Sequence, residues 1–484
     1  MPSDRKFLIW ALRACAAISL VTALRVVALY WFDTANIFLR IKSSIWVALA
    51  WDAAHGELYR PLFDANGYGG TRYMPLLFVV HAMGIRAGVD PIWSGVALMQ
   101  ASVAAVAVAL FGALRSFRVP REMAACLAAT VWGSIIFQQS CTDLNPDYLA
   151  AALALGAAVV TLGGERNWRR IAGGAALIVA AALTKVTAIA FAAPVAAALL
   201  RERRATAATF LTLAAAGAAG CVVVVDAASG GNFRESFLAT ASNGMTLSDV
   251  WRAVPKFGFE LAIKPFDVAV PFAVACWCAC TRRERQWPVD YLLTAAVVTI
   301  VIFASPGTAS NHLVDLQVAS TLVLGVAIAR AIVPERLAAG LYAALAGVLI
   351  LVTIPVAGLP SVVGEVRSAM SRPRSAVEAI GRDLRDGAAP YLSIDPIVPI
   401  LNGDRPWLLD YAGLERAYVS GTAIGLDFAS RIQQRFFAAV IVPRGYDSPI
   451  MPLLRTAYDV RESSGPFVVM RPRCPVHTDS CVPE

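Results

Sequence analysis

The chain has 484 residues, of which 58% are hydrophobic and only 16% charged. Soluble domains carry roughly 25% charged residues, so this balance excludes an ordinary soluble enzyme. The net charge of +8 does not mark nucleic-acid binding, because most arginines sit in short clusters between apolar runs, the pattern that orients a protein in a membrane.

Apolar segments of about 20 residues, long enough to cross a ~30 Å hydrocarbon layer, recur through the first three quarters of the chain. A membrane β-barrel would instead show ~10-residue alternating segments. Residues 7–31 form the first span. Preceded by MPSDRK, this run is too long for a signal-peptide core and no clear small-residue cleavage site follows, so it reads as a retained helix. A polar stretch, 32–91, comes next. Within it, residues 37–51 suit a helix lying at the interface, and 75–88 is a second, half-buried piece ended by Gly-Val-Asp-Pro.

The further spans are 92–114, 122–140, 147–163, 171–184, 187–200, 205–227, 265–281, 288–304, 313–330 and 337–358, about eleven in all. With the N-terminus in the cytoplasm, the inner loops RSFRVPRE, GGERNWRR, RERRAT, TRRERQ and ARAIVPER are all rich in arginine. The outer connections SCTDLNP and SPGTASNH carry neither lysine nor arginine. That asymmetry fixes the orientation and argues against counting 75–88 as a crossing. The 171–200 region reads as two short helices meeting at Thr184-Lys185, although one long helix remains an alternative. A second outer loop spans 228–264 and includes a surface helix near 248–257. Residues 361–484 lack a membrane-length run. YLSID, AAVIVP and PFVVMRP read as strands and LDFASRIQQRFF as a helix, giving a small α/β domain outside the membrane. Cys474 and Cys481 flank a short polar loop there and are able to form a disulfide in an oxidising compartment. Cys276, Cys278 and Cys280 alternate inside a span and cannot share one helix face, which argues against zinc.

Ionisable groups at membrane spans are candidates for function because leaving them unpaired is costly. Here they gather on the outer face: Asp33 and, two turns deeper, Arg25; Asp143 and Asp147 around the Asn145-Pro146 turn; Lys185 at its hairpin; Asn311, His312 and Asp315 opening a late span. A carboxylate able to deprotonate a hydroxyl and cations able to hold a departing phosphate suit group transfer from a lipid phosphate.

The layout resembles the GT-C superfamily of polyprenyl-phosphate-sugar-dependent glycosyltransferases, which includes protein mannosyltransferases and the aminoarabinose transferase of lipid A. The matching features are an Asp just after the first span (Asp33), Gly-Glu-Leu-Tyr followed by Tyr73-Met74-Pro75, the loop Asp of NPDYLAAALAL, Leu183-Thr184-Lys185, and Gly307 to Asn311. The resemblance covers most of the chain. It implies a sugar transferred with inversion from a polyprenyl-phosphate donor to an envelope glycan, lipid or protein. The protein would be a multi-pass one of a bacterial inner membrane, with its C-terminal domain in the periplasm. It further implies Asp33 as catalytic base and Asp147 as a second active-site acid, with Asp143 a secondary candidate. Lys185 and Arg72 would contact the lipid phosphate, with Tyr73, Asn311, His312 and Arg25 lining the donor site. Asp33 is followed by Thr34 where many relatives have a second acid, so no cofactor is required and a divalent metal is not favoured. His312 stands where relatives commonly have an aromatic.

Plainer explanations exist for each residue. Asp33 is able to cap the interfacial helix, Asp147 to complement a helix dipole, and Lys185 to snorkel. Asp143, Asp52 and Glu57 read as solvated acids, His55 and His312 as interfacial polar groups, and Arg13 as a partner of lipid headgroups. Two other functions compete: a secondary transporter or flippase, and a non-catalytic scaffold whose outer domain binds a partner. The first would show matching inverted halves, which the sequence lacks.

Overall fold

The computed structural model describes residues 2–32, 41–134, 136–137, 144–240, 246–263, 266–281, 286–305, 308, 310–356, 373–385 and 390–473. Asp33 and Asp143 lie outside the described residues, as do Cys474 and Cys481; Arg25 is in the first helix, but its side chain is not described.

The apolar segments form helices α1 (Pro2–Phe32), α2 (Ile41–Ala54), α3 (Pro75–Arg86), α4 (Pro91–Ser116), α5 (Arg121–Thr130), α6 (Asp147–Leu162), α7 (Trp168–Thr184), α8 (Ala192–Glu202), α9 (Arg204–Ala228), α10 (Asn232–Thr240), α11 (Leu247–Ile263), α12 (Phe266–Thr281), α13 (Trp287–Phe303), α14 (Val314–Ala329) and α15 (Glu335–Val356). Among the described residues, Asp4–Leu24, Pro91–Ser116, Arg204–Ala228 and Asn311–Ala329 are long and apolar enough to cross a membrane unaided. Shorter apolar helices stand beside them, as a polytopic helical membrane protein requires.

The bundle is organised around α14, in which every residue from Val314 to Ile328 is buried. Helices α12 and α13 pack against it, while α4, α6 and α7 form a neighbouring layer and α1 packs on α15. Helix α9 is peripheral: of its 25 residues only Ala207, Phe210 and Ala214 are buried, and most of the others are exposed.

The two ends of the bundle differ in chemistry. One end carries the arginines, paired as Arg13–Glu122, Arg166–Glu202, Arg201–Asp290 and Arg336–Asp4. Arg13 thus has a carboxylate partner within the chain, where the sequence suggested lipid headgroups. The opposite end gathers the first residues of α6 and α14, the last of α7 and α13, and the polar stretch after α1.

That second end is covered by a C-terminal domain. Its sheet has the order β3-β4-β6-β5, with β3 (Tyr391–Ser393), β4 (Ala439–Pro443), β5 (Tyr458–Ser464) and β6 (Phe467–Pro472). Strands β3 and β4 are parallel and the other pairs antiparallel. Helices α16 (Pro373–Arg385), α17 (Ile397–Leu401), α18 (Tyr411–Val419), α19 (Ala423–Gln433) and α20 (Met451–Ala457) complete it.

The domain is not separate from the first polar stretch. A two-residue hairpin, Phe63–Asp64 with Gly67–Tyr68, inserts into it. Tyr68 is buried in the same apolar cluster as Trp407, Phe428 and Phe437, and Leu409 N donates to Tyr68 O at 3.0 Å. Gly67 has φ +134, a conformation open to glycine, and a Cβ there would collide with the Trp407 carbonyl. Asp52, expected to be solvated, is instead buried against Arg60, whose guanidinium makes two 2.6 Å bonds to its carboxylate and a 2.5 Å bond to Pro406 O of the outer domain. Arg405–Glu57 and Arg374–Asp90 tie the same two parts together.

Candidate active site

The site is built at helix termini, because there side chains from separated segments reach one point without breaking a helix. Asn145-Pro146 starts α6, and Asn145 Oδ1 accepts from Asp147 N at 3.2 Å, the local turn typical of Asn before a helix. Helix α7 ends at Thr184. Lys185 is extended, at φ −150 and ψ 113, and a 3-10 turn, Val186–Phe191, follows. So the 171–200 region is two helices, and the break carries the lysine. Asn311 and His312 lie in a second 3-10 turn, Ser310–Leu313, that leads into α14.

These three termini converge on one carboxylate. Lys185 Nζ donates to Asp147 Oδ1 at 2.7 Å. Asn311 Nδ2 donates to Asp147 Oδ2 at 2.7 Å. His312 Nδ1 lies 2.9 Å from Asp147 Oδ1 and, as a protonated nitrogen, donates to it. Lys185 Nζ is 3.4 Å from the same imidazole nitrogen. Asp147 is 1% exposed, and both its oxygens are engaged. A carboxylate so filled is poorly placed to take a proton from substrate; it serves to fix Lys185, Asn311 and His312. Lys185 keeps 12% side-chain exposure.

Asp315 joins this group from the first turn of α14. It is buried, and its charge interacts with those of Lys185 and Asp147. Its signal in the sequence was its place among the ionisable groups that open a late span from the outer face.

Arg72 and Tyr73 occupy a different neighbourhood. Arg72 lies near the Tyr73 hydroxyl and near Asp410 of the outer domain. The Tyr73 ring packs on Trp46, centroids 4.4 Å apart, and Tyr59 Oη donates to Tyr73 O at 2.8 Å. Asp410 also caps α18, accepting from Ala412 N and Gly413 N. Burial pushes its carboxyl upward, while Arg72 and Arg416 pull it back.

Two adjacent serines at the start of α2 link these regions. Leu144 N donates to Ser43 Oγ at 3.0 Å, which ties α2 to the loop entering α6. Ser44 faces Asp395 of the outer domain, a fully buried acid that burial raises to about 7 against the lowering effect of the Ser44 hydroxyl and the Ile397 amide. In the sequence these serines only interrupted an apolar run; pairing across distant segments gives them their role.

An apolar cavity of about 170 Å³ lies between α1 and α4 and is lined by residues including Leu20, Leu24, Val27, Met99, Val103 and Phe137. The Phe137 ring meets Tyr148, the residue after Asp147, edge-on at 6.4 Å. Among the described residues, no group of three His, Cys, Asp or Glu side chains is arranged to hold a metal ion.

No protein-family model matches the chain, and no curated protein matches it. Solved structures do. ArnT from Cupriavidus metallidurans in the apo state superposes with a TM-score of 0.60 at 15% identity, over 93% of this chain and 97% of that one. The same protein bound to undecaprenyl phosphate gives 0.56 at 16% identity, with the same coverage. The archaeal oligosaccharyltransferase AglB from Archaeoglobus fulgidus, in complex with an inhibitory peptide and a dolichol-phosphate, gives 0.54 at 12% identity, over 97% of this chain and 75% of that one. Likeness over nearly the whole chain, at identities this low, is likeness of fold: the protein is an integral membrane protein with the GT-C fold.

Proposed function

We propose that the protein is a glycosyltransferase that moves a sugar from a polyprenyl-phosphate donor to an envelope acceptor, with inversion at the anomeric carbon. The observation that carries this reading is Lys185, an ammonium braced by a buried carboxylate at a bundle end, in a fold shared with proteins solved with undecaprenyl phosphate and dolichol-phosphate.

In this reading the lipid phosphate lies against Lys185, and the apolar cavity reaching Phe137 takes the first part of the prenyl tail. An acceptor hydroxyl attacks the anomeric carbon from the face opposite the phosphate. Asp33 takes the hydroxyl proton, the bond from sugar to phosphate oxygen breaks, and its electron pair leaves on the lipid phosphate. Lys185 offsets that growing charge. Asp147 positions Lys185 and His312, while Asn311 and His312 line the donor pocket. Asp143 stays a secondary candidate, and Arg25 a candidate for lining the donor site. Arg72, whose charge is met by Asp410, has less to offer a phosphate, and with Tyr73 it is assigned to the acceptor side below the outer domain. The arginine-rich end faces the cytoplasm. With about eleven crossings of a bacterial inner membrane, the site and the C-terminal domain, about 361–484, then lie on the periplasmic side.

The test uses purified full-length protein with labelled polyprenyl-phosphate sugars. Release of lipid phosphate together with a glycosylated acceptor is expected, and Asp33→Asn should abolish both. Full turnover by Asp33→Asn would remove Asp33 as the base. Uptake of label into sealed vesicles without conversion would replace the transferase reading with transport.

A further inference from the structure

Asp315 has no part in the steps above, yet it stands beside the group they depend on. It is 6% exposed, and its Oδ1 has no hydrogen-bond partner among the described residues. The charged or titratable groups that face it are Lys185 after α7, Asp147 on α6 and Tyr291 on α13, with His312 one turn away on its own chain segment. Asp147 accepts from three donors. One ammonium therefore bonds one buried carboxylate, Asp147, and lies within the field of a second, Asp315, whose Oδ1 is left without a bond.

Fixing Lys185 requires only Asp147. A second buried acid costs desolvation and adds negative charge where an anion is to bind. The sign of its effect on that anion follows from Coulomb's law: a phosphate at Lys185 is attracted by one cation and repelled by two carboxylates. The repulsion grows with the charge of the phosphate. A donor phosphodiester carries one negative charge, whereas the released phosphomonoester carries about −1.5 to −2 near pH 7.

We infer that Asp315 is a counterweight to Lys185: it weakens the hold on the phosphomonoester product more than on the phosphodiester donor, and so promotes product release. This rests on the reading that Lys185 receives the lipid phosphate. Asp315 is then a positioning residue of the electrostatic field, with no contact to the reacting atoms.

The experiment measures binding of farnesyl phosphate, and of a farnesyl phosphodiester, to full-length protein in detergent. Asp315→Asn should bind the monoester about tenfold more tightly and the diester about threefold more tightly, as expected for removing a like charge within roughly 10 Å in a partly polar site. Steady-state turnover should fall and product inhibition deepen, without a rise in donor KM. Asp315→Glu keeps the charge and should keep the wild-type affinities. A merely structural Asp315 gives unchanged or weaker binding in Asp315→Asn, and that result overturns the inference. Equal gains for monoester and diester overturn it too. Lys185→Met separates the two levels: if it binds farnesyl phosphate as the wild type does, the phosphate reading itself is wrong and the inference falls with it.

Discussion

Replacing Asp147 with Asn tests whether the carboxylate organises the site. The substitution keeps the shape but removes the charge and turns one acceptor into a donor. Three donors point at the native carboxylate, at 2.7, 2.7 and 2.9 Å; an amide oxygen can serve two at most, and its NH2 faces the remaining one. Hydrogen bonds to charged groups contribute about 1.5–3 kcal/mol each, and removing one partner of a buried ion pair costs about 3–5 kcal/mol. Exposure of Lys185 at 12% and of Asp147 at 1% puts the pair in that buried class. A loss of about 3 kcal/mol is therefore expected, and if half or more of it falls on the transition state, lipid phosphate release slows by about ten- to a hundredfold. The assay is initial-rate release of lipid phosphate for Asp147→Asn, Lys185→Met and the double variant, each with its apparent melting temperature. In a coupled pair the double variant is little worse than either single one. If the two effects simply add to within about 0.5 kcal/mol, the residues act independently and Asp147 does not work through Lys185.

Four further outcomes concern the outer domain and the polar stretch that docks into it. Arg60→Ala leaves Asp52 buried and uncompensated and cuts the bond to Pro406; it should cost about 3–5 kcal/mol and expose the domain to limited proteolysis, and Asp52→Ala on top should recover part of the loss. Asp395 keeps its proton to about pH 7 when folded, against an ordinary value of 3.8. The folded state therefore holds more protons than the unfolded state between those values, and stability falls as pH rises through that window; Asp395→Asn should flatten this slope in melting temperature against pH. Gly67→Ala combines φ +134 with a clash on Trp407 and should undock the hairpin, seen as a lowered melting temperature and altered tryptophan fluorescence. Gly56→Ala, at φ +95 but with open space, should cost only about 1 kcal/mol.

Much of the fold was legible because membrane helices obey a local rule. A run of apolar residues long enough to span hydrocarbon must satisfy its backbone internally, so most of the runs became helices whatever their neighbours did, although 187–200 opens with a 3-10 turn and the helix within 122–140 ends at Thr130. The helix break at Lys185 was legible for a related reason: arginines flanked both sides of 171–200, which favoured a turn between them over one long helix. The outer strands at 391–393, 439–443 and 467–472 were visible as short apolar runs. The β5 strand, Tyr458–Ser464, was not, since much of it is exposed and polar.

The site was legible in part. Lys185, Asn311, His312 and Asp147 were chosen as polar groups at span ends, and the structure brings these four together. Arg72 and Tyr73 were chosen from the resemblance, within the polar stretch after the first span, and lie near Asp410 of the outer domain. The solvated reading of Asp52 failed because its partner, Arg60, lies across a turn in the same polar stretch, and nothing in residues 52–60 declares the turn.

The sequence by itself determined the membrane class, the helices and which end of the bundle is basic, because each follows from composition within one segment. Only the tertiary structure decided which polar groups meet. It set Asp147 between Lys185 and His312, 38 and 165 residues away, laid Ser43 against the loop that carries Asp147, and folded residues near Tyr68 into the C-terminal domain. Those pairings depend on how helices pack, and packing is fixed by contacts among many segments at once, which no single stretch of the chain encodes.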